Sequence, residues 1–280
     1  MEKQFEKNTF AKRLKSMLRV DARRMFTSPL VYIMAAISLI VPILILVMTS
    51  MMDGKVSVDP QTGKETVFEG FKNVWQIFGT VSSTGASASA SAGGESAGMG
   101  MDMSITSMCN INMMYFAIAV LVCLFVAEDF RSGYAKNLFT VRAKKTDYVI
   151  SKTVVCFIGG AIMILCFTVG ALVGGKVAGL PYTMDGFNGY NLVCCVVSKT
   201  LLVSIFVAIF LVMSVVGKHR SWLSLLLSFG VGMFLFMTVS IASPLDAGVL
   251  HIILCLAGGG MFAVGLGAVS NILLKKTSLV

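Results

Sequence analysis

Residues with donor or nucleophilic chemistry are few and scattered in this 280-residue sequence. His219 and His251 are the two histidines, and neither has metal-ligand spacing to the other. Met99, Met101 and Met103 alternate, and such soft thioethers can bind Cu(I), but no histidine stands beside them and the nearest cysteine is Cys109. The simpler reading is a loose apolar segment. Seven cysteines fall in or at the edge of apolar runs, where free Cys is an ordinary small buried hydrophobe. A phosphate-cradling loop needs Gly-x-x-x-x-Gly-Lys followed by Ser or Thr. Gly174-Gly175-Lys176 comes nearest, but Val177 follows it. The expectation is a chain that is not an enzyme, has no metal site and holds no cofactor of its own.

Two places remain where charge and apolar surface meet. One is Lys199, inside an apolar run about 12 Å down a helix counted from Asn191 at ~1.5 Å per residue. Three placements fit it: snorkelling to the outer surface, beginning a span that follows a short outer helix at 188–198, or facing a translocation path. The other is residues 127–148, which include Glu128, Arg131, Gly133, Lys136, Asn137, Leu138 and Phe139. A mixed-charge helix here, with Leu138, Phe139 and Val141 on one side, is shaped for insertion into a partner's groove, where apolar residues are buried and charges set orientation.

The elements that position these residues are read from hydropathy. Mean hydropathy is +0.84 and only 13% of residues are charged, against about 25% in a soluble domain. Six apolar runs, near 30–48, 108–126, 149–173, 192–216, 222–241 and 249–273, each reach the ~20 residues that span ~30 Å of hydrocarbon. The expected fold is therefore an all-α integral membrane protein with six transmembrane helices. No Asp or Glu falls within these cores, so the sequence predicts no ion-coupling carboxylate at membrane depth.

The net charge of +9 is concentrated beside the spans rather than spread as for nucleic acid. With six crossings, eighteen Lys and Arg fall on one side, eight of them in residues 1–28, and four fall on the other. By the positive-inside rule both termini are cytoplasmic. In the leader, Phe10, Leu14, Met17, Leu18, Ala22 and Met25 share half of a helical wheel and Lys12, Arg13, Arg19, Arg23 and Arg24 fill the rest, the pattern of an interfacial helix over 1–28. Ser28-Pro29 turns the chain into the membrane domain, 29–280. Residues 52–107 form a large outer loop. Its aromatic part, with Phe68, Phe71, Trp75 and Phe78, lies on the membrane surface or caps the spans, and 82–100 is a flexible Ser/Ala/Gly linker. Gly170/Gly174, Ser228/Gly232 and Gly259/Ala263/Gly267 set small residues four apart, as close helix packing in lipid requires. Pro42 is expected to kink the first span.

The inner segment and the leader together resemble the permease subunits of ABC-2 type transporters, bacterial exporters of the type V kind. The matching positions are Glu128 at the end of the second span, Gly133, Lys136-Asn137-Leu138-Phe139-Thr140, Lys144 or Lys145, and Lys152 at the start of the third span. Arg23-Arg24-Met25-Phe26-Thr27-Ser28-Pro29 is similar to the family's elbow helix, and Lys218-His219-Arg220-Ser221-Trp222 to its second inner turn. The usual Gly-Thr pair is Gly133-Tyr134 here. The resemblance implies two membrane subunits, identical or sister chains, in a bacterial plasma membrane. Each would bind one cytoplasmic ATPase subunit, which holds the ATP and Mg. Residues 127–148 would then be the coupling segment, with Glu128 and Arg131 fixing it and Leu138 and Phe139 buried in the ATPase groove, and an amphipathic, peptide or drug-like molecule as cargo. The competing reading is a membrane sensor or immunity protein that binds a ligand through 52–107 and transports nothing.

Overall fold

A computed structural model describes residues 10–58, 65–79, 109–141, 145–183, 188–217 and 220–276. The stretch 82–100, the three alternating methionines, Lys144, Lys218 and His219 lie outside these residues.

The first helix, α1 (Phe10–Thr27), stops at Ser28, whose extended backbone and hydroxyl cap α2 (Pro29–Met52) by accepting from the Leu30 amide at 3.4 Å. Pro29 suits the first turn, where its missing N–H would have no helical partner. A short antiparallel hairpin of β1 (Val56–Val58) and β2 (Glu65–Val67) follows, with Val56 opposite Val67. Then come a 3-10 turn at Val74–Phe78, another at Ile111–Met113, and α3 (Met114–Arg131). The remaining helices are α4 (Tyr134–Val141), α5 (Lys145–Ala178), α6 (Gly189–Gly217), α7 (Ser221–Ala242) and α8 (Val249–Lys276).

Among the described residues, five helical segments are long and apolar enough to cross a membrane: Pro29–Met52, Ile111–Arg131, Lys145–Ala178, Gly189–Gly217 and Val249–Lys275. The chain is thus an all-helical multi-pass membrane protein, with the small hairpin as its one departure among the described residues. Helix α7, 22 residues without a charged side chain, covers the remaining apolar run, 222–241.

The helices form one bundle with two distinct ends. At one end, the elbow end, lie the α1–α2 break, the α3–α4–α5 turn and the C-terminus of α8, where the Lys145 ammonium donates to the Leu274 carbonyl. The loop end carries the hairpin and the Val74–Phe78 turn. There Phe71, Val74, Ile77 and Phe78 are buried, and Trp75 Nε1 donates to the Tyr182 carbonyl at 2.7 Å. This aromatic segment caps the bundle, one of the two placements expected for it.

Lipid is as apolar as leucine, so helix association here depends on close packing rather than on expulsion of water. Helices α2 and α5 show it best. A Cβ at Gly170 would overlap the Leu39 carbonyl, and one at Gly174 would lie 2.8 Å from the Ile43 Cα. The Pro42 ring fits against the space that Gly170 leaves. The outer faces of α2 and α8, with Tyr32, Ile33, Leu44, Met261, Phe262 and Val264, are exposed apolar surface suited to lipid.

Candidate functional site

The elbow end gathers the charged side chains of three helices into one buried cluster. Helix α1 presents Met17, Asp21 and Met25 at four-residue intervals, so these three share the face turned to the bundle and all are buried. Helix α3 contributes Asp129 in its last turn, and α5 contributes Tyr148, Ser151 and Lys152 in its first two. The Met25 methyl occupies the space above Gly159 that a Cβ would close.

At the centre, Lys152 Nζ lies 3.0 Å from Asp21 Oδ1 and 2.7 Å from Asp129 Oδ2, and all three side chains are fully enclosed. Arg24 Nη1 donates to Asp129 Oδ1 at 2.6 Å, Tyr148 donates its hydroxyl to Asp129 Oδ2 at 2.9 Å, and Ser151 donates to Asp21 Oδ2 at 2.6 Å. The Phe125 ring lies 4.0 Å from the Lys152 ammonium, and the Arg24 guanidinium stacks 3.9 Å above the Tyr134 ring. Two carboxylates thus meet two cations, and the cluster is neutral as a whole. Hydrogen bonds from Arg24, Tyr148 and Ser151 support the carboxylates, whereas Lys152 Nζ and Asp21 Oδ1 meet as charges without hydrogen-bond geometry. Nearer the surface, Arg13 Nε pairs with Asp147 at 3.3 Å and extends the α1–α5 contact by two turns of α1.

Two groups outside the spans feel the cluster. Partial burial works against the Arg24 charge, yet Asp129 beside it outweighs this and holds the guanidinium pKa above its ordinary value. Burial first, then the charge of Asp21, pushes the Tyr134 phenol up and keeps it neutral, against the smaller pull of Lys152 and Arg24.

The two carboxylates of the cluster lie outside the apolar cores read from the sequence. Helix α3 continues to Arg131 and α5 begins at Lys145, so both run beyond their apolar cores. Asp129 lies within the spanning helix Ile111–Arg131, and Lys152 lies in α5 as its partner.

Residues 132–141 form a turn and a two-turn helix resting on this cluster. Ser132 closes α3, its amide bonded to the Glu128 carbonyl at 2.9 Å, and Gly133 follows at φ +73°, the left-handed position that ends many helices. In α4, Ala135 is buried, Leu138 and Phe139 are half-buried against the bundle core, and Lys136 and Asn137 are exposed. The Phe139 ring meets Tyr148 edge-on at 5.3 Å. Leu138 and Phe139 therefore already share their apolar surface with their own bundle, and only the remainder is open to a partner. Glu128 and Arg131 are exposed on the last turn of α3.

Lys199 lies at the loop end, separate from this site. Helix α6 is unbroken through it and the side chain is fully enclosed, so it neither snorkels nor starts a helix. Its ammonium donates to Asn112 Oδ1 at 2.9 Å and Ser243 Oγ at 3.1 Å, and its carbonyl accepts from Tyr115 at 2.8 Å.

Sequence reasoning missed Asp21 and gave Asp129 no role. The signal for Asp21 was a carboxylate four residues from both Met17 and Met25, on the apolar face of a basic helix. The signal for Asp129 was Lys152, a cation inside an apolar run and in need of a partner. Neither a family model, nor a curated protein, nor a solved structure matches this chain.

Proposed function

We propose that this chain is the membrane subunit of an ATP-driven transporter of the ABC-2 type, with six crossings, both termini cytoplasmic and the elbow end facing the cytosol of a bacterial cell. A separate ATPase subunit would dock on α4 and the last turn of α3, two per complex, with a second copy or a sister chain completing the membrane path. The observation that carries this reading is a short surface helix held between two spans on a buried ionic base. Force applied to α4 passes through the Gly133 turn into α3 and through Tyr148 and Lys152 into α5 and α1. A connecting loop needs no such base.

The chemistry of the exposed residues fits the role. Lys136, Asn137, Glu128 and Arg131 offer charge to orient a partner, and the open edges of Leu138 and Phe139 offer apolar contact. Asp21 and Asp129 are already neutralised by Lys152 and Arg24, so energy from a partner's nucleotide suits this chain better than an ion exchanged at those carboxylates. The cargo would be amphipathic or peptide-like, moving along apolar helix surfaces.

Charge reversal tests the docking role. Glu128→Lys is exposed and should leave the fold intact while it uncouples ATP hydrolysis from transport or prevents assembly with the ATPase. Unchanged coupling and assembly in that variant would count against the assignment. A sensor that binds ligand through 52–107 would also be indifferent to it.

A further inference from the structure

Beside the ionic cluster, at the elbow end, a cleft of about 380 Å³ lies between α1, α2, α3 and the start of α7. That volume is at the lower end of the ~300–1,000 Å³ of small-ligand sites. Its polar wall is Arg24, Arg131, Glu128 and Ser28, and its apolar wall includes Leu124 and Phe125. We infer that this cleft binds a phospholipid of the adjoining leaflet whose headgroup carries both a phosphate and a primary ammonium, as phosphatidylethanolamine does. The inference goes beyond the transporter reading and does not rest on it.

The grading of the walls points to an amphiphile. Leu124, Glu128 and Arg131 follow one another at four- and three-residue spacing on one exposed face of α3, so the lining passes from charged to apolar over two turns. The position points to a membrane lipid rather than a soluble one. Phe26, Tyr32 and Trp222 are exposed around the elbow, and aromatic rings of this kind collect at headgroup level.

The charges select the headgroup. Guanidinium groups match phosphate oxygens in a planar fork. Arg24, which lines the cleft, is held in place by its bond from Nη1 to Asp129 and by stacking on Tyr134. Arg131 supplies a second guanidinium. Glu128, three residues before Arg131 on the same helix, would repel a purely anionic headgroup but would accept hydrogen bonds from an ammonium next to the phosphate. A quaternary ammonium has no N–H to give it. The cleft therefore favours phosphatidylethanolamine over both phosphatidylglycerol and phosphatidylcholine.

The test is lipid retention by the purified full chain, measured by native mass spectrometry in detergent with added lipids of matched acyl chains. Phosphatidylethanolamine should be retained about tenfold more strongly than the other two, roughly the worth of one exposed charge-assisted bond. Glu128→Gln should erase the preference over phosphatidylglycerol, and Arg131→Gln should weaken retention of all three. Both residues are exposed, so the variants should fold, and their melting temperatures check this. Dihexanoyl phosphatidylethanolamine should displace the bound lipid, whereas free phosphoethanolamine should not. Equal retention of the three lipids, a preference that survives Glu128→Gln, or displacement by free phosphoethanolamine as effective as by the short lipid would overturn the inference. No transport activity is read, so its failure stays distinct from failure of the transporter assignment.

Discussion

Replacing Lys152 by Met is the sharpest perturbation of the elbow-end cluster. The ammonium lies 3.0 and 2.7 Å from two fully enclosed carboxylates. Without it, Asp21 and Asp129 face Arg24 alone, and one negative charge is left buried and uncompensated. Removing one partner of a buried pair costs ~3–5 kcal/mol, a factor of about 10² to 10⁴ in the folded-to-unfolded ratio. At about 2–4 °C per kcal/mol for a chain of this size, Lys152→Met should lower the melting temperature in detergent by roughly 6–20 °C. The shape of Met is close to that of Lys, so little of this loss comes from packing. Adding Asp21→Asn to the same chain leaves Asp129 against Arg24, restores neutrality, and should recover most of the loss. Fluorescence-detected size exclusion after a temperature ramp measures all four members of the cycle. If Lys152→Met melts within about 2 °C of wild type, or if the double variant is no better than Lys152→Met, the cluster does not hold α1, α3 and α5 together.

Three other outcomes follow from the packing and the turns. Gly133→Ala meets nothing within 4 Å, so its cost is backbone strain alone at φ +73°; it should destabilise by ~1–2 kcal/mol and shift α4 enough to lower coupled ATP hydrolysis. Gly170→Val places its Cβ on the Leu39 carbonyl and should separate α2 from α5, a loss of ~1–3 kcal/mol or more seen as a lower melting temperature. Lys199→Ala leaves Asn112 and Ser243 without their shared donor and should cost at least ~1–3 kcal/mol; a wild-type melting temperature would mean that these bonds contribute nothing. If Lys199 also meets cargo as the helices part, transport should be abolished in this variant while assembly with the ATPase persists.

Much of the architecture was legible in the sequence because it depends on local pattern. Apolar runs of membrane-spanning length, the Ser28-Pro29 break and the four-residue spacing of Gly170 and Gly174 are all signals within one or two helices. The cluster was harder to read. Asp21 and Ser151 stand 130 positions apart and Arg24 and Asp129 stand 105 apart, and no periodicity links such pairs. Hydropathy also misplaced the helix ends: it stops α3 before Glu128 and starts α5 after Tyr148, since charged residues lower the running mean even when they are buried in ion pairs. Lys199 left three placements open because its resolution depends on Asn112 and Ser243, one on each of two other elements. The half-burial of Leu138 and Phe139 is similar. An amphipathic pattern shows that an apolar face will be covered, but not whether the same chain or another covers it.

The measurement closest to the central claim is purification of the tagged chain from its own membranes with quantification of every co-eluting subunit. The account predicts a cytoplasmic ATPase at one copy per membrane subunit, lost or uncoupled when Glu128 is changed to Lys. A membrane chain that transports its cargo with no ATPase bound, or an α4 that reacts with impermeant labels only from outside the cell, would contradict it.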